Sequence, residues 1–545
     1  MDDIRKAQQQ IGIALRSRAG IELQLGAIAD ATSDLDEAFR LIGARDATRN
    51  LLQARTHEFR GEVLLHTNPR GAMEEFTTAL GLVPGTELRA FRADLYAERA
   101  EGARLAGQTG DEERDLQAAL RELREEETQL LNERKRGEGE AYWSAYFARS
   151  DQTYDRLIRH FGESGRWENA FNIDERSRAF EPLNLILRLD STPAAFRALV
   201  PGGEAMGLAA IQKSLPPGVV LLQYSVLGDG TYTWVVSNEG VRYLRQRATA
   251  ANVNGWSRAI QQAVRRRDEK SLQRSLARVH DELFAKPLEA IRNPARIVIV
   301  PDGGMHGLPF AAMYDSGTRQ YLVERAPLEI AGSATLYIYS LLRDRAMRSS
   351  RSRSVLLIGN PAFVATDFAQ GLKPLPHAQE EVGQIRAFYR NAEVRTGAEA
   401  TVEEFLARAR NKTIIHFAGH SIVNEREPWN SMLLFAGNNG AITAAELLKQ
   451  LNLEQTRLFV LSACSSAGGH PVGPEGVSPL VRPLITAGVP AVMGTLWDVE
   501  DATAEPLSVS FHRHYEQGSD AAMALQAAQR ELLRDGNRGL RSVLA

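Results

Sequence analysis

Along the first 190 residues, apolar side chains recur at spacings of three and four, separated by Glu, Arg and Ala, with few β-branched runs. That period predicts amphipathic helices throughout 1–190. Asp111–Arg136, dense in Glu and Arg around Leu116, Leu120, Leu123 and Leu130, reads as one long helix with a solvated face. The texture changes at 191–207, where STPAAFRALVPGGEAMG carries the Pro and Gly of a linker. Beyond it, VVLLQYSVLGDGTYTWVVSNEGVRYL predicts a hairpin or meander turning at Gly228-Asp229-Gly230. Val253–Leu288 returns to helical spacing. Short apolar runs then alternate with helix patterns: RIVIV, SVLLIG, TIIHFAG, RLFVLSAC and VPAVMG among HAQEEVGQIRAFYR and TVEEFLARAR. Strands buried on both faces and spaced by helices predict an α/β domain with a mostly parallel sheet flanked by helices. In such sheets functional residues gather beyond the carboxyl ends of the strands.

The helical part carries a faint repeat. In NPRGAMEEFTTALGLVPG, the residues Ala72, Phe76, Ala79 and Pro84 stand at the spacing of the second helix of a tetratricopeptide repeat (TPR). Forty residues on, Leu116, Ala119 and Leu120 echo Phe76, Ala79 and Leu80, and a weaker unit runs from Tyr154 to Phe180. A plain helical bundle fits the same pattern. The first helices show no clear capping repeat, and on this reading the chain is open to being a piece of a longer protein.

Composition changes the picture in one respect. At 545 residues, 43% hydrophobic and 24% charged, with a formal net charge of −3, the chain is ordinary for a globular protein of several domains. No basic excess points to nucleic acid or a membrane surface, no apolar run is long enough to span a bilayer, and the first twenty residues lack a signal-peptide core. A soluble, cytoplasmic protein is expected. The single cysteine, Cys464, excludes an internal disulfide and a cysteine-rich zinc site. A lone cysteine is often an inert small hydrophobe, but this one ends a strand pattern, as does His420.

A thiolate is the nucleophile where the thiol is not, so a cysteine at work needs an imidazole to take its proton and later protonate a leaving amine. His420 and Cys464 are 44 residues apart, room for a helix, a connection and a strand between them. The small neighbours Gly419, Ser421, Ala463 and Ser465 leave space for a carbonyl to reach backbone N–H groups.

The run from TIIHFAGHS through SMLLFAG and ITAAELLKQLNL to LFVLSACSSAGG and GPEGVSPLVRPLITAGVPAVMGTLWDVEDATA resembles the CHAT family. These are caspase-like domains found behind TPR arrays, in the clan of caspases, separases and gingipains. IVIVPDGGMHGLPFAAM, LLIGNPAF and LPHAQEEVGQI match in order as well, so the resemblance covers roughly residues 205–545. It implies a caspase-like domain at 208–545, with an accessory pseudo-caspase part at 208–350 and a catalytic part at 351–545. It further implies a cysteine endopeptidase with Cys464 as nucleophile and His420, the second His of HFAGH, as base. The backbone N–H groups of Cys464 and Ser421 would form its oxyanion hole. Ser421 stands where the family frequently has Gly, and SACSSAGG where SACETG is frequent. The implied partners are a protein substrate and a protein regulator held by the helices, with no cofactor, in a bacterial setting of regulated or defence-related proteolysis. A catalytically silent scaffold is the alternative.

Other residues have plainer readings. His416 and His420 are four apart, but Ile414-Ile415-His416-Phe417 favours a strand and no Glu follows His416 as a zinc helix requires, so His416 is expected to be structural and no metal is expected. His512 and His514 are expected on a helix surface, and His306 in a packing role. Asp498 and Asp501 follow a strand in TLWDVEDA. A carboxylate there could line a pocket for Arg or Lys or cap the next helix, capping being favoured for Asp501. Trp497 could line the same pocket or pack.

Overall fold

The three- and four-residue spacing of the N-terminal part folds as α1 (Asp2–Gln24), α2 (Ile28–Ile42), α3 (Ala47–Leu64), α4 (Pro69–Leu82), α5 (Arg89–Leu105), α6 (Thr109–Lys135) and α7 (Glu140–Glu163). The computed structural model describes residues 2–534 except 25–26, 43–46, 66, 84, 86–87, 136–139, 290, 292, 349–352, 365–370, 425, 439, 469–475, 477 and 498–500. Two units divide the chain, Met1–Ala170 and Phe171–Ala545.

In the first unit each helix packs on its neighbours in sequence. Ala72, Phe76 and Ala79 of α4 are fully buried, as the repeat pattern requires; Pro84 lies outside the described residues. A side chain at Gly61 would come within 2.5 Å of the Phe76 ring, so glycine is what lets α3 and α4 approach. The expected long charged helix is α6, and Arg99 grips its Asp115 with two 2.8 Å hydrogen bonds from α5.

The second unit starts at Phe171, inside α8 (Trp167–Ile186), some way before the linker expected at 191–207. The cause is a charged helix face that is buried: Asp174, Glu175, Arg178 and Glu181 are all at most 4% exposed. The Glu175 carboxylate accepts the N–H groups of Ala334 (3.0 Å) and Thr335 (2.6 Å), capping α9 (Ala334–Met347), while Glu181 pairs with Arg482. In sequence such a face reads as solvated.

Two sheets follow. The expected meander is β1 (Val219–Val226), β2 (Thr231–Ser237) and β3 (Gly240–Gln246), antiparallel; β4 (Arg296–Val300) and β5 (Leu328–Ile330) extend it in parallel, in the order β3-β2-β1-β4-β5. The second sheet is all parallel, β6 (Val355–Pro361), β7 (Ala392–Gly397), β8 (Ile414–Ala418), β9 (Leu458–Ser462) and β10 (Ala491–Gly494), in the order β10-β9-β8-β6-β7. Its alternation is complete: Leu356, Ile358, Ile415, Phe417, Phe459 and Leu461 enter one core, and Val355, Leu357, Ile414, Ala418, Leu458 and Val460 the other. The second of these cores is closed by α10 (Pro376–Arg386) and α11 (Asp501–Glu516), through Val382, Ile385, Leu507 and Phe511. The chain thus has the expected class, a helical region before an α/β domain with a mostly parallel sheet. Among the described residues no helix is long and apolar enough to cross a membrane.

Candidate active site

The β8–β9 pairing runs in register from Ile414↔Leu458 to Ala418↔Ser462. Gly419 continues it, donating its N–H to the Ser462 carbonyl at 3.2 Å. His420 and Cys464 each come two residues after that last pair, so adjacent strands release them at the same level of the sheet.

His420 is half-buried, with its Nε2 2.8 Å from the Lys373 carbonyl and its ring edge-on to Phe363 at 5.1 Å between centroids. A carbonyl only accepts, so Nε2 carries the proton and Nδ1 is left as the basic nitrogen. Lys373 acts through its backbone, which nothing in a sequence can reveal.

Cys464 is half-buried at the start of a tight turn. The next residue, Ser465, holds φ +52, a conformation that non-glycine residues adopt at local cost. The turn is joined to the exit of β10: Ser465 N–H to the Trp497 carbonyl (3.2 Å), Ala467 N–H to the Thr495 carbonyl (2.8 Å), Thr495 Oγ1 to the Ala463 carbonyl (2.5 Å). A side chain at Gly468 would meet the Leu496 carbonyl at 2.1 Å, so the second half of the turn requires glycine. Ser421 donates its hydroxyl to the Cys464 carbonyl, which a glycine at 421 could not do. The site residues read from the sequence therefore assemble as follows: His420, Ser421 and Cys464 share one end of the sheet. Trp497 contributes its carbonyl there while its ring packs against the core of the first sheet. Asp498 lies outside the described residues. Asp501 is the first residue of α11.

His416 is fully buried, with Nε2 2.9 Å from Glu381 and Nδ1 3.1 Å from Nε2 of His512. His512 corrects the surface expectation: it too is fully buried, and its Nδ1 lies 2.9 Å from the Tyr389 hydroxyl. The signal was present, because Ser508, Phe511, His512 and Tyr515 form a helical stripe that is buried throughout, while His514 lies off it and reaches Glu531. Glu381 was missed for the same reason, on the stripe Ala378, Glu381, Val382 and Ile385. His306 rests after β4, where burial first and then Arg178 push its imidazole down to about 3, so it is neutral near pH 7. His377, Glu380 and Glu505 bring a nitrogen and two carboxylate oxygens within 4.8 Å of one another, the group among the described residues that could hold a cation. Their contacts to each other already engage them.

Burial, and then the neighbouring His416 ring, hold the imidazole of His512 neutral well below its ordinary range. Above about pH 6.5 this histidine is neutral folded or unfolded and contributes nothing. Below it the unfolded chain takes up a proton that the folded site refuses, so stability falls by up to about 1.4 kcal/mol per pH unit. His512→Gln should therefore lose less stability than wild type between pH 7 and pH 5, read as the shift in urea midpoint. Equal shifts would refute the assignment.

The CHAT domain family model matches residues 273–541. Tetratricopeptide repeat protein 28 of Mus musculus is 24% identical over 311 residues, covering 48% of this chain and 13% of that protein. Its Homo sapiens counterpart is 23% identical over 273 residues, covering 43% of this chain and 11% of the other. The chain thus spans about an eighth or less of the length of these relatives. Among solved structures, a Saccharomyces cerevisiae separase–securin complex aligns with 98% of this chain and 49% of that one at 10% identity and a TM-score of 0.45. The Arg-specific cysteine proteinase gingipain R aligns with 54% and 71% at 10% identity and a TM-score of 0.32. Over residues 273–541, just under half of its length, the chain is thus similar to the CHAT domain family.

Proposed function

We propose that this chain is a cysteine endopeptidase that cleaves a protein substrate through Cys464 and His420. The reading is carried by the Ala418↔Ser462 pairing, which releases the only cysteine and a carbonyl-oriented histidine side by side from adjacent parallel strands. His420 Nδ1 takes the thiol proton, and the thiolate attacks the scissile carbonyl carbon. The oxyanion forms against the N–H groups of Cys464 and Ser421. The imidazolium then protonates the departing amine as the C–N bond breaks, leaving a thioester. A water, deprotonated by the same Nδ1, attacks the thioester; the acid departs and the thiol is restored.

Asp498 would favour Arg or Lys at the cleaved position. The N-terminal helices would bind a protein whose preference for one arrangement of the active-site loops regulates cleavage.

Because Cys464 is the only cysteine, iodoacetamide is a site-specific inhibitor without mutagenesis. A diverse peptide library should be cut by the untreated protein and left intact after complete alkylation. The lost cuts report the residue preference assigned to Asp498. Cuts that survive complete alkylation would overturn the reading.

A further inference from the structure

Under the dyad a carboxylate is buried where packing alone would call for an apolar side chain. Glu381 is 1% exposed, and its polar neighbours are an imidazole and a hydroxyl: His416 Nε2 at 2.9 Å and Ser462 Oγ at 3.3 Å. Burying a carboxylate without a cationic partner costs stability that a Leu or Met would not.

His416 Nε2 approaches one Glu381 oxygen at 2.9 Å without the alignment of a hydrogen bond, and the Ser462 hydroxyl donates to the other. On its other side His416 Nδ1 lies 3.1 Å from Nε2 of His512, whose Nδ1 lies 2.9 Å from the Tyr389 hydroxyl.

Both catalytic side chains depend on the elements this carboxylate joins. Ser462 ends β9 two residues before Cys464, and its carbonyl takes the Gly419 N–H, one residue before His420. Glu381 itself belongs to α10, and the segment leading into α10 supplies the Lys373 carbonyl that orients His420. That segment is held at its other end by the Leu375 N–H on Asn360 Oδ1 at 2.8 Å.

We infer that Glu381, with His416, is a positioning residue for the dyad: one carboxylate sets α10, and with it the Lys373 carbonyl and His420, in register with the strand end that presents Cys464. The inference rests on the dyad reading above, and it acts through the Ser462 hydrogen bond and the close polar contact with His416. A glutamine at 381 keeps the shape and an oxygen that can accept from Ser462, so it should preserve the arrangement.

The test reads the alkylation rate of Cys464 against pH, which needs no substrate. In wild type, His420 holds thiolate available below the pH of a free thiol, about 8.5. In Glu381→Ala the alkylation midpoint should move up toward that of His420→Ala, and Glu381→Gln should restore the wild-type midpoint. Val382→Ala, at a buried neighbour in the same helix, supplies a control of purely structural damage. It should lower the melting temperature and leave the midpoint in place. On a peptide that wild type cleaves, Glu381→Ala should lower kcat between about ten- and a hundredfold with KM unchanged. A Glu381→Ala midpoint equal to that of wild type, or a Val382→Ala midpoint shifted as far, would overturn the positioning role. If His420→Ala itself leaves the midpoint unmoved, the dyad reading fails, and the positioning role with it.

Discussion

Cys464→Ala should leave no measurable cleavage, and His420→Ala should lower kcat/KM by about 10²- to 10⁴-fold at neutral pH, the usual worth of a general base. The two losses differ in kind. Without Cys464 no nucleophile remains, since the chain has no second cysteine. Without His420 the thiol survives but must ionise unaided, at about pH 8.5. The residual activity of His420→Ala should therefore rise between pH 7 and pH 9, while that of wild type stays nearly level. Leaving-group protonation is also lost, so the variant never regains the wild-type rate. The measurement is kcat/KM against pH for both proteins on one peptide. A His420→Ala profile parallel to wild type would remove His420 from the mechanism.

How much of this was legible in the sequence depends on whether the information lay in side-chain pattern or in backbone placement. Four strands of the parallel sheet were readable because they are apolar on both faces and Glu- and Arg-bearing helices separate them; the edge strand β7, Ala392–Gly397, carries Glu393 and Arg395 and was not. The meander was readable from its Gly-Asp-Gly turn. The positions of His420 and Cys464 just beyond strand patterns were enough to single them out. The groups around them were not. Lys373 contributes a carbonyl, and any residue type has one. Glu381 and His512 look like surface residues until their places on the apolar stripes of α10 and α11 are counted. The buried charged face of α8 was illegible in the same way, because Asp174, Glu175, Arg178 and Glu181 satisfy one another and the α/β unit rather than water.

That face contains the residue whose loss should cost most in stability. Arg178, 2% exposed, donates to the carbonyls of Pro301 (2.6 Å) and Tyr224 (2.7 Å) at the carboxyl ends of β4 and β1. It also contacts the carboxylates of Asp174 (3.1 Å) and Asp302 (3.2 Å). In the second sheet the carboxyl ends of neighbouring strands open onto Cys464 and His420. In the first, an arginine from α8 closes them. Arg178→Met keeps the length and removes every donor, so two carbonyls and two carboxylates each lose a partner, at an expected cost of about 3–5 kcal/mol. Its pH dependence identifies the cause. Burial, and then the nearby Asp302, already raise the Asp174 carboxyl to about 6 even though Arg178 opposes them. A carboxyl whose folded pKa exceeds its unfolded value favours the folded state while protonated and loses that advantage as pH rises through the folded pKa. Removing Arg178 raises the folded pKa further, so the variant should be closest to wild type near pH 5 and fall furthest behind near pH 8. The midpoints of urea unfolding at the two pH values measure both effects. A deficit that is small, or the same at both, would mean that the guanidinium is only filling space.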